Sequence, residues 1–189
     1  MFKSYCIECL FLAGYQSENQ NLYRTTYEYT MAILKKDISD AISAWGEGLI
    51  EISLTYENYG IEKASVVAST MLDKLYGFSL GPVLFKPTLS GGVQTFRPTR
   101  EAALSYFVGH NPDYPNDSGF GLKPWRKVTS KTSAIFIDEN VAMWMGWVNF
   151  IDKDGLVVTV DKSWGYQLDN SRSLRIILHH SSLPYQIDN

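Results

Sequence analysis

The order of apolar and polar positions divides the chain into a helical first part and a β-rich second part. Up to about residue 77, apolar residues recur every three or four positions, which is the periodicity of amphipathic helices. Asp37 is a candidate N-cap for one of these helices. The apolar stripe behind it consists of Ile38, Ala41, Ile42, Trp45, Leu49 and Ile52. A further helix repeats the pattern and should end at Gly77, and we expect both stripes to form core.

After Pro82 the pattern changes to short β-rich runs and one more helix. Residues 83–86 predict a strand that ends at Pro87-Thr88, and residues 94–97 predict a second short strand. Thr99 is typical of an N-cap, and the helix that follows should end at Gly109. The loop 110–124, rich in Asn, Asp, Pro and Gly, is long enough to predict a lid or a rim.

The last third of the chain predicts an antiparallel meander. Four β-rich runs, at residues 126–137, 141–151, 156–166 and 174–182, are separated by segments with hairpin chemistry. Helices followed by such strands indicate the α+β class, and no linker or repeat divides the chain. We therefore predict a short N-terminal tail over residues 1–19 and a single domain over residues 20–189.

The predicted strand 141–151 is apolar on both faces. One alternate set is Val141, Met143, Met145 and Trp147, and the other is Ala142, Trp144, Val148 and Phe150. An antiparallel sheet that helices cover on one side usually carries polar residues on the other side. We therefore predict a homodimer packed sheet to sheet. The alternative is a sheet that curls and buries both faces within one chain.

Composition and charge exclude several classes of protein. Hydrophobic residues make up 45% and charged residues 20% of the chain, as in ordinary globular proteins. A net charge of −3 without a basic block argues against a nucleic-acid partner. No apolar run approaches the roughly 20 residues of a membrane span, so we expect no membrane partner.

The N-terminal residues carry two weak signals. Glu8 interrupts a short apolar stretch, and no small-residue cleavage site follows it, so we expect a cytoplasmic protein. A degenerate export signal is the alternative. Cys6 and Cys9 form a C-x-x-C, but a structural zinc site needs a second pair of ligands. We expect two ordinary thiols.

Four consecutive hydrogen-bonding side chains, His179-His180-Ser181-Ser182, end the last predicted strand. Alternation places His179 and Ser181 on one face, and His180 and Ser182 on the other. The two histidines should therefore not bind one ion, and we expect no metal, although the Asp-rich loop leaves a Mg²⁺ or Mn²⁺ site open as an alternative. The chain has neither a G-x-S-x-G elbow nor a glycine-rich phosphate loop.

Several distinctive short motifs follow one another along the chain. They are Leu84-Phe85-Lys86-Pro87-Thr88, Tyr106-Phe107, Asp117-Ser118-Gly119-Phe120, Pro124-Trp125, Met145-Gly146, Asp161-Lys162, Gly165-Tyr166 and the run from His179 to Tyr185. With these motifs in this order, the chain resembles the iota-class carbonic anhydrases over roughly residues 22–186. The resemblance implies a cone-shaped nuclear transport factor 2-like (cystatin-like) fold, with N-terminal helices packed on a curved antiparallel sheet. This fold is related to that of the association domain of calmodulin-dependent kinase II.

The resemblance also implies a function and a site. The reaction would be the reversible hydration of CO₂ to bicarbonate, with no cofactor expected, although members differ in metal use. Carried over by position, the catalytic residues are Thr88, Tyr106, His179 and Ser181, and Thr88, Tyr106 and Ser181 also bind the substrate. By pattern alone, Thr88 is typical of a turn and Tyr106 of a core. The alternatives are a non-catalytic association module of the same fold and another pocket enzyme, such as a cyclase or isomerase.

Overall fold

A computed structural model describes residues 32–186, which form one compact unit from Ile33 onward. The elements, in chain order, are α1 (Lys35–Tyr59), α2 (Ile61–Leu75), β1 (Leu84–Lys86), α3 (Arg100–Val108), β2 (Trp125–Asp138), β3 (Val141–Asp152), β4 (Val157–Leu168) and β5 (Leu174–Ser182). The predicted order of helices and then strands is confirmed. Each of the four long strands begins and ends within two residues of its predicted bounds.

The five strands form one sheet in the order β1-β5-β4-β3-β2. Strands β2 to β5 are an antiparallel meander, whereas β1 lies parallel to β5, with Phe85 opposite His179. The register is irregular near Trp125, Thr132 and Gly165, and bulges of this kind bend a strand. The parallel pairing matters for function because it brings the segment after β1 beside the end of β5.

Trp45 of α1 lies at the centre of the core between the helices and one face of the sheet. Its ring packs edge to face against Phe107 of α3, Phe150 of β3 and Trp164 of β4, at centroid distances of 5.4–6.3 Å. Such contacts add to the stabilisation that burial of aromatic surface provides. The helices therefore cover this inner face.

The other face of β3 is exposed in the chain. Met143 is 55% exposed, Met145 52% and Trp147 40%, whereas the alternate residues Trp144 and Phe150 are buried. Both faces are thus apolar, as predicted. The alternative in which the sheet curls and buries both faces internally is wrong.

The start of α1 differs from its prediction. The helix begins at Lys35 with Leu34 as its N-cap, and Asp37 is the third helical residue. Its carboxylate accepts a hydrogen bond from the Leu34 backbone N–H at 2.8 Å. The prediction of Asp37 as N-cap is therefore wrong, because an acidic residue can stabilise a helix start from within the first turn as well as from the cap.

The short strand predicted over residues 94–97 is also wrong. The chain forms a 3₁₀ turn at Gly92–Gln94 instead, and Arg97 donates one backbone hydrogen bond, of 2.7 Å, to the Phe85 carbonyl. The next residue, Pro98, has no N–H with which to extend a ladder. The helix α3 that follows has the predicted caps, since Thr99 Oγ1 accepts from the Ala102 N–H and Gly109 is the C-cap.

Some predictions concern residues that the structure does not describe. The tail over residues 1–19, the domain boundary at residue 20, and both Cys6 and Cys9 lie outside residues 32–186. These predictions and that of a cytoplasmic location stay predictions. Between residues 32 and 186, no helix has the length and apolar character needed to cross a membrane.

Candidate active site

The pairing of β1 with β5 brings Thr88 beside Ser181. Thr88 lies two residues beyond β1, and its Oγ1 is 2.6 Å from Ser181 Oγ, a distance at which either hydroxyl can donate to the other. Ser181 is buried and Thr88 is partly buried. Lys86 Nζ donates to the Ser181 carbonyl oxygen at 3.0 Å, which holds the end of β5 against β1.

Helix α3 adds a third hydroxyl, that of Tyr106. The buried Tyr106 ring stacks on Phe120 at 5.5 Å and meets Phe85 edge to face at 5.6 Å. Its hydroxyl is close enough to the Thr88 side chain and to the backbone of Leu89 for both to act on its pKa. Burial raises the pKa of Tyr106 above its ordinary value of 10, so the phenol keeps its proton at neutral pH. We call Thr88, Tyr106 and Ser181 the hydroxyl cluster.

His179 lies on the same face of β5 as Ser181, as alternation predicted, but its ring is held by different partners. Nδ1 is 2.9 Å from Tyr76 Oη, and Nε2 is 2.8 Å from Lys162 Nζ. The ring also stacks on Phe85 at 4.4 Å. Burial lowers the pKa of His179 well below 6.5, so the imidazole is neutral at pH 7.

The four residues predicted for the site therefore form two neighbouring groups. The hydroxyls of Thr88, Tyr106 and Ser181 meet at the junction of β1, α3 and β5. Both ring nitrogens of His179 are bonded to other side chains, and the Phe85 ring contacts His179 on one side and Tyr106 on another. The predicted roles of the four residues stay predictions at this point.

Three residues that sequence reasoning left out hold His179 in place. Tyr76 and Lys162 bond to its ring, and Trp45 Nε1 donates to Tyr76 Oη at 2.8 Å. We call Trp45, Tyr76, His179 and Lys162 the imidazole chain. Lys162 carried a readable signal, because a lysine at an inward-facing position of a half-buried strand is rarely without a role. Tyr76, just after α2, had no such signal.

The acidic residues of the described part of the chain do not cluster. Within residues 32–186, no group of three or more His, Cys, Asp or Glu side chains is arranged to hold a metal ion. In the Asp-rich loop, the Asp117 side chain is 3% exposed and accepts hydrogen bonds from Arg97 Nη2 at 2.8 Å and from Ser105 Oγ at 2.7 Å. Its carboxylate thus fastens the loop to the core.

Comparison with known proteins identifies close relatives. The model of the metal-independent carbonic anhydrase family matches residues 36–183. A metal-independent carbonic anhydrase from Nostoc sp. (strain PCC 7120) is 50% identical over 155 residues, which cover 82% of this chain and 76% of the relative. The crystal structure of an iota-carbonic anhydrase from a cyanobacterium, complexed with bicarbonate, matches with a TM-score of 0.82 and 49% identity, over 83% of this chain and 96% of that one.

More distant structures confirm the fold. A chain from Xanthomonas campestris, named for the calcium/calmodulin-dependent protein kinase II association domain, has a TM-score of 0.53 and 20% identity over 83% of this chain and 96% of its own length. A nuclear transport factor 2-like protein from Salmonella enterica has a TM-score of 0.50 and 16% identity over 82% and 93%. The nuclear transport factor 2-like fold is therefore established. The family match spans both the hydroxyl cluster and the imidazole chain, and this chain belongs to the metal-independent carbonic anhydrase family.

Proposed function

We propose that this protein catalyses the reversible hydration of CO₂ to bicarbonate at the hydroxyl cluster, with no metal and no other cofactor. The observation that carries the proposal is the partly buried contact of 2.6 Å between the Thr88 and Ser181 hydroxyls, with the Tyr106 hydroxyl beside Thr88, in a chain of this family. The bicarbonate bound in the structure of the cyanobacterial relative supports the choice of substrate.

Without a metal, the enzyme must activate water in another way. A zinc ion lowers the pKa of bound water from about 15.7 to about 7. Transfer of a proton from free water to an ordinary histidine, with a pKa of about 6.5, would cost roughly 12 kcal/mol. His179 is a poorer base still, because burial lowers its pKa and both ring nitrogens are already bonded. Hydroxide therefore does not form before the attack on CO₂.

Hydroxyl groups avoid this cost because each can accept one proton while it releases another. As the oxygen of a water molecule bonds to the carbon of CO₂, one water proton passes to the oxygen of Ser181 or Thr88. The proton of that hydroxyl passes in the same step to an oxygen of CO₂. The product is carbonic acid, which ionises to bicarbonate on reaching solvent, and the side chain has regained its hydroxyl.

Tyr106 and His179 have supporting roles in this mechanism. The Tyr106 phenol, kept protonated by its raised pKa, donates to the substrate oxygen on which negative charge develops. His179 orients the site, because its ring stacks on Phe85 and lies on the same face of β5 as Ser181, which is two residues further along the strand. In this mechanism His179 therefore orients the site and does not accept the proton.

The two other functions considered from the sequence are not favoured. An association module would have a pocket that catalyses no reaction, and a cyclase or isomerase would need a catalytic base that faces a larger apolar cavity. The chain instead belongs to a carbonic anhydrase family over residues 36–183. Structures that share only the fold do not reverse this assignment, because one fold hosts many functions.

Stopped-flow measurement of CO₂ hydration tests the proposal. The wild-type protein should accelerate hydration equally with and without a metal chelator. Tyr106→Phe should lose about a hundredfold in kcat, which is the typical effect of one lost hydrogen-bond donor to a developing charge. Tyr59→Phe, on the exposed end of α1, is the matched control and should keep full activity. Full activity of Tyr106→Phe, or loss of wild-type activity with chelator, would contradict the proposal.

We also propose that the protein is a homodimer formed through the outer face of the sheet. This outer face contains Phe136, Met143, Met145 and Trp147, which are 40–59% exposed. Phe136 pairs with Met143 across β2 and β3, so the apolar surface is continuous. Sedimentation equilibrium should give a dimer for the wild type and a monomer for Trp147→Glu. A monomeric wild-type protein would disprove the assembly.

A further inference from the structure

Lys162 is a buried lysine without an acidic partner. It is 5% exposed, and its Nζ lies over the rings of Trp45 and Trp164, at 4.4 and 4.9 Å from their centroids. Of the salt bridges between residues 32 and 186, none involves Lys162. Its hydrogen-bond partner is His179 Nε2, at 2.8 Å. The Lys162 amine thus lies among aromatic rings and is hydrogen-bonded to the imidazole of His179.

The imidazole chain has a direction that its first member sets. An indole N–H can only donate, so Tyr76 Oη accepts from Trp45 Nε1. The direction that gives the Tyr76 hydrogen an acceptor is the one in which this hydroxyl donates to His179 Nδ1. A neutral imidazole that accepts at Nδ1 carries its proton on Nε2. The Nε2–H must therefore donate to Lys162 Nζ, which requires a lone pair on that nitrogen.

The opposite direction leaves one more hydrogen, that of the Tyr76 hydroxyl, without an acceptor. An ammonium group has no lone pair, so it would have to donate to Nε2, and the imidazole proton would then lie on Nδ1. Tyr76 Oη would accept from both Trp45 and His179, and its own hydrogen would have no acceptor among the hydrogen bonds of residues 32–186. A full positive charge would also be buried without a counterion, and only its attraction to the faces of the tryptophan rings would offset that cost.

We infer that Lys162 is a neutral amine that holds His179 as its Nε2–H tautomer and is thereby a positioning residue for the reaction. The amine fixes the plane of the imidazole that stacks on Phe85, and Phe85 in turn contacts Tyr106 of the hydroxyl cluster. In the register of the sheet, Lys162 also lies opposite Ser181. The kinetic consequence of this inference depends on the proposed function, whereas the protonation states do not.

Nitrogen NMR of the wild-type protein tests the protonation states directly. With lysine and histidine labelled with ¹⁵N, the Lys162 Nζ resonance at pH 7 should lie in the range of neutral amines. The His179 ring should show a protonated Nε2 and an unprotonated Nδ1, with the exposed His180 as an internal reference. An ammonium resonance for Lys162, or a proton on Nδ1 of His179, would overturn the inference whether or not the protein hydrates CO₂.

Kinetics of two variants test the positioning role. Lys162→Met keeps an unbranched side chain but removes the acceptor, and kcat should fall about tenfold with KM little changed, as expected for the loss of one hydrogen bond. Lys162→Gln restores an acceptor and should recover most of the activity. Full activity of a folded Lys162→Met, or an equal loss in both variants, would refute the role. An inactive wild type with the expected NMR signals would instead refute the proposed function.

Discussion

Replacing Lys162 by methionine should remove a pH dependence from the stability of the protein. In the unfolded chain a lysine with an ordinary pKa of 10.5 is protonated at neutral pH, whereas burial lowers the pKa of folded Lys162 well below that value. Unfolding therefore takes up a proton. Since stability rises with pH wherever the unfolded state binds more protons, the wild type should become more stable as the pH rises towards 10.5.

The size of the effect follows from the proton count. One proton taken up on unfolding changes the free energy of unfolding by about 1.4 kcal/mol per pH unit. Between pH 7.5 and 9.5 the wild type should therefore gain up to about 3 kcal/mol relative to Lys162→Met. His179, whose unfolded pKa is near 6.5, adds little in this range, and the buried tyrosines titrate above it.

Urea unfolding at several pH values measures this difference. Lys162→Met should be the more stable protein at pH 7.5, and its advantage should shrink steadily as the pH rises. Lys127→Met is the control, because Lys127 is an exposed lysine of the same sheet and should keep the wild-type slope. Stability curves of the wild type and Lys162→Met that run parallel from pH 7.5 to 9.5 would refute the reasoning, because folded Lys162 would then carry its proton.

Three further predictions concern the rest of the molecule. If hydroxyls rather than an imidazole base transfer the proton, kcat/KM for CO₂ hydration should not change between pH 6.5 and 8.5, because the lowered pKa of His179 keeps its ring neutral throughout this range. A rise in kcat/KM with a midpoint in this range would contradict the mechanism. Arg97→Leu leaves the carboxylate of Asp117 buried without its ion-pair partner and should lower the free energy of unfolding in urea by about 3–5 kcal/mol. Arg126→Leu, which removes a more exposed ion pair, should lower it by at most about 1 kcal/mol; equal effects of the two variants would refute this account of the loop. Gly146→Ala would place a Cβ against the backbone carbonyl oxygen of Lys131 in β2 and should lower the free energy of unfolding by about 1–3 kcal/mol. Gly91→Ala, with open space around it, should not; a Gly146→Ala protein as stable as the wild type would be evidence against this close approach of β2 and β3.

The fold could be predicted where a local pattern decides the structure. Alternation along β3 and β5 gave the strands and the faces on which Trp144, His179 and Ser181 lie, because the side-chain period of a strand is two. The parallel position of β1 beside β5 could not be derived in this way. It depends on which sheet edge accepts a strand of three residues, and that is decided by packing of distant parts of the chain.

The candidate site likewise contains residues that a local sequence pattern predicted and residues that only the tertiary structure brings together. His179 and Ser181 stood out because polar side chains ended an apolar strand, whereas Thr88 and Tyr106 were assigned through the family resemblance alone. Tyr76 was missed because its contact with His179 joins residues 103 positions apart. Hydrogen-bond partners across such separations depend on tertiary structure, so the orientation of the imidazole away from the hydroxyls could be learned only from the folded chain.

The central claim is that the hydroxyl cluster, on the face of the sheet that the helices cover, carries out the chemistry. Two neighbouring serines test this claim most directly. Ser181 and Ser182 are adjacent in β5 and face opposite sides, so Ser181→Ala and Ser182→Ala remove the same atom from different places. In stopped-flow CO₂ hydration, Ser181→Ala should lose about a hundredfold or more in kcat, and Ser182→Ala should match the wild type. A Ser181→Ala protein that is folded and fully active would contradict the account.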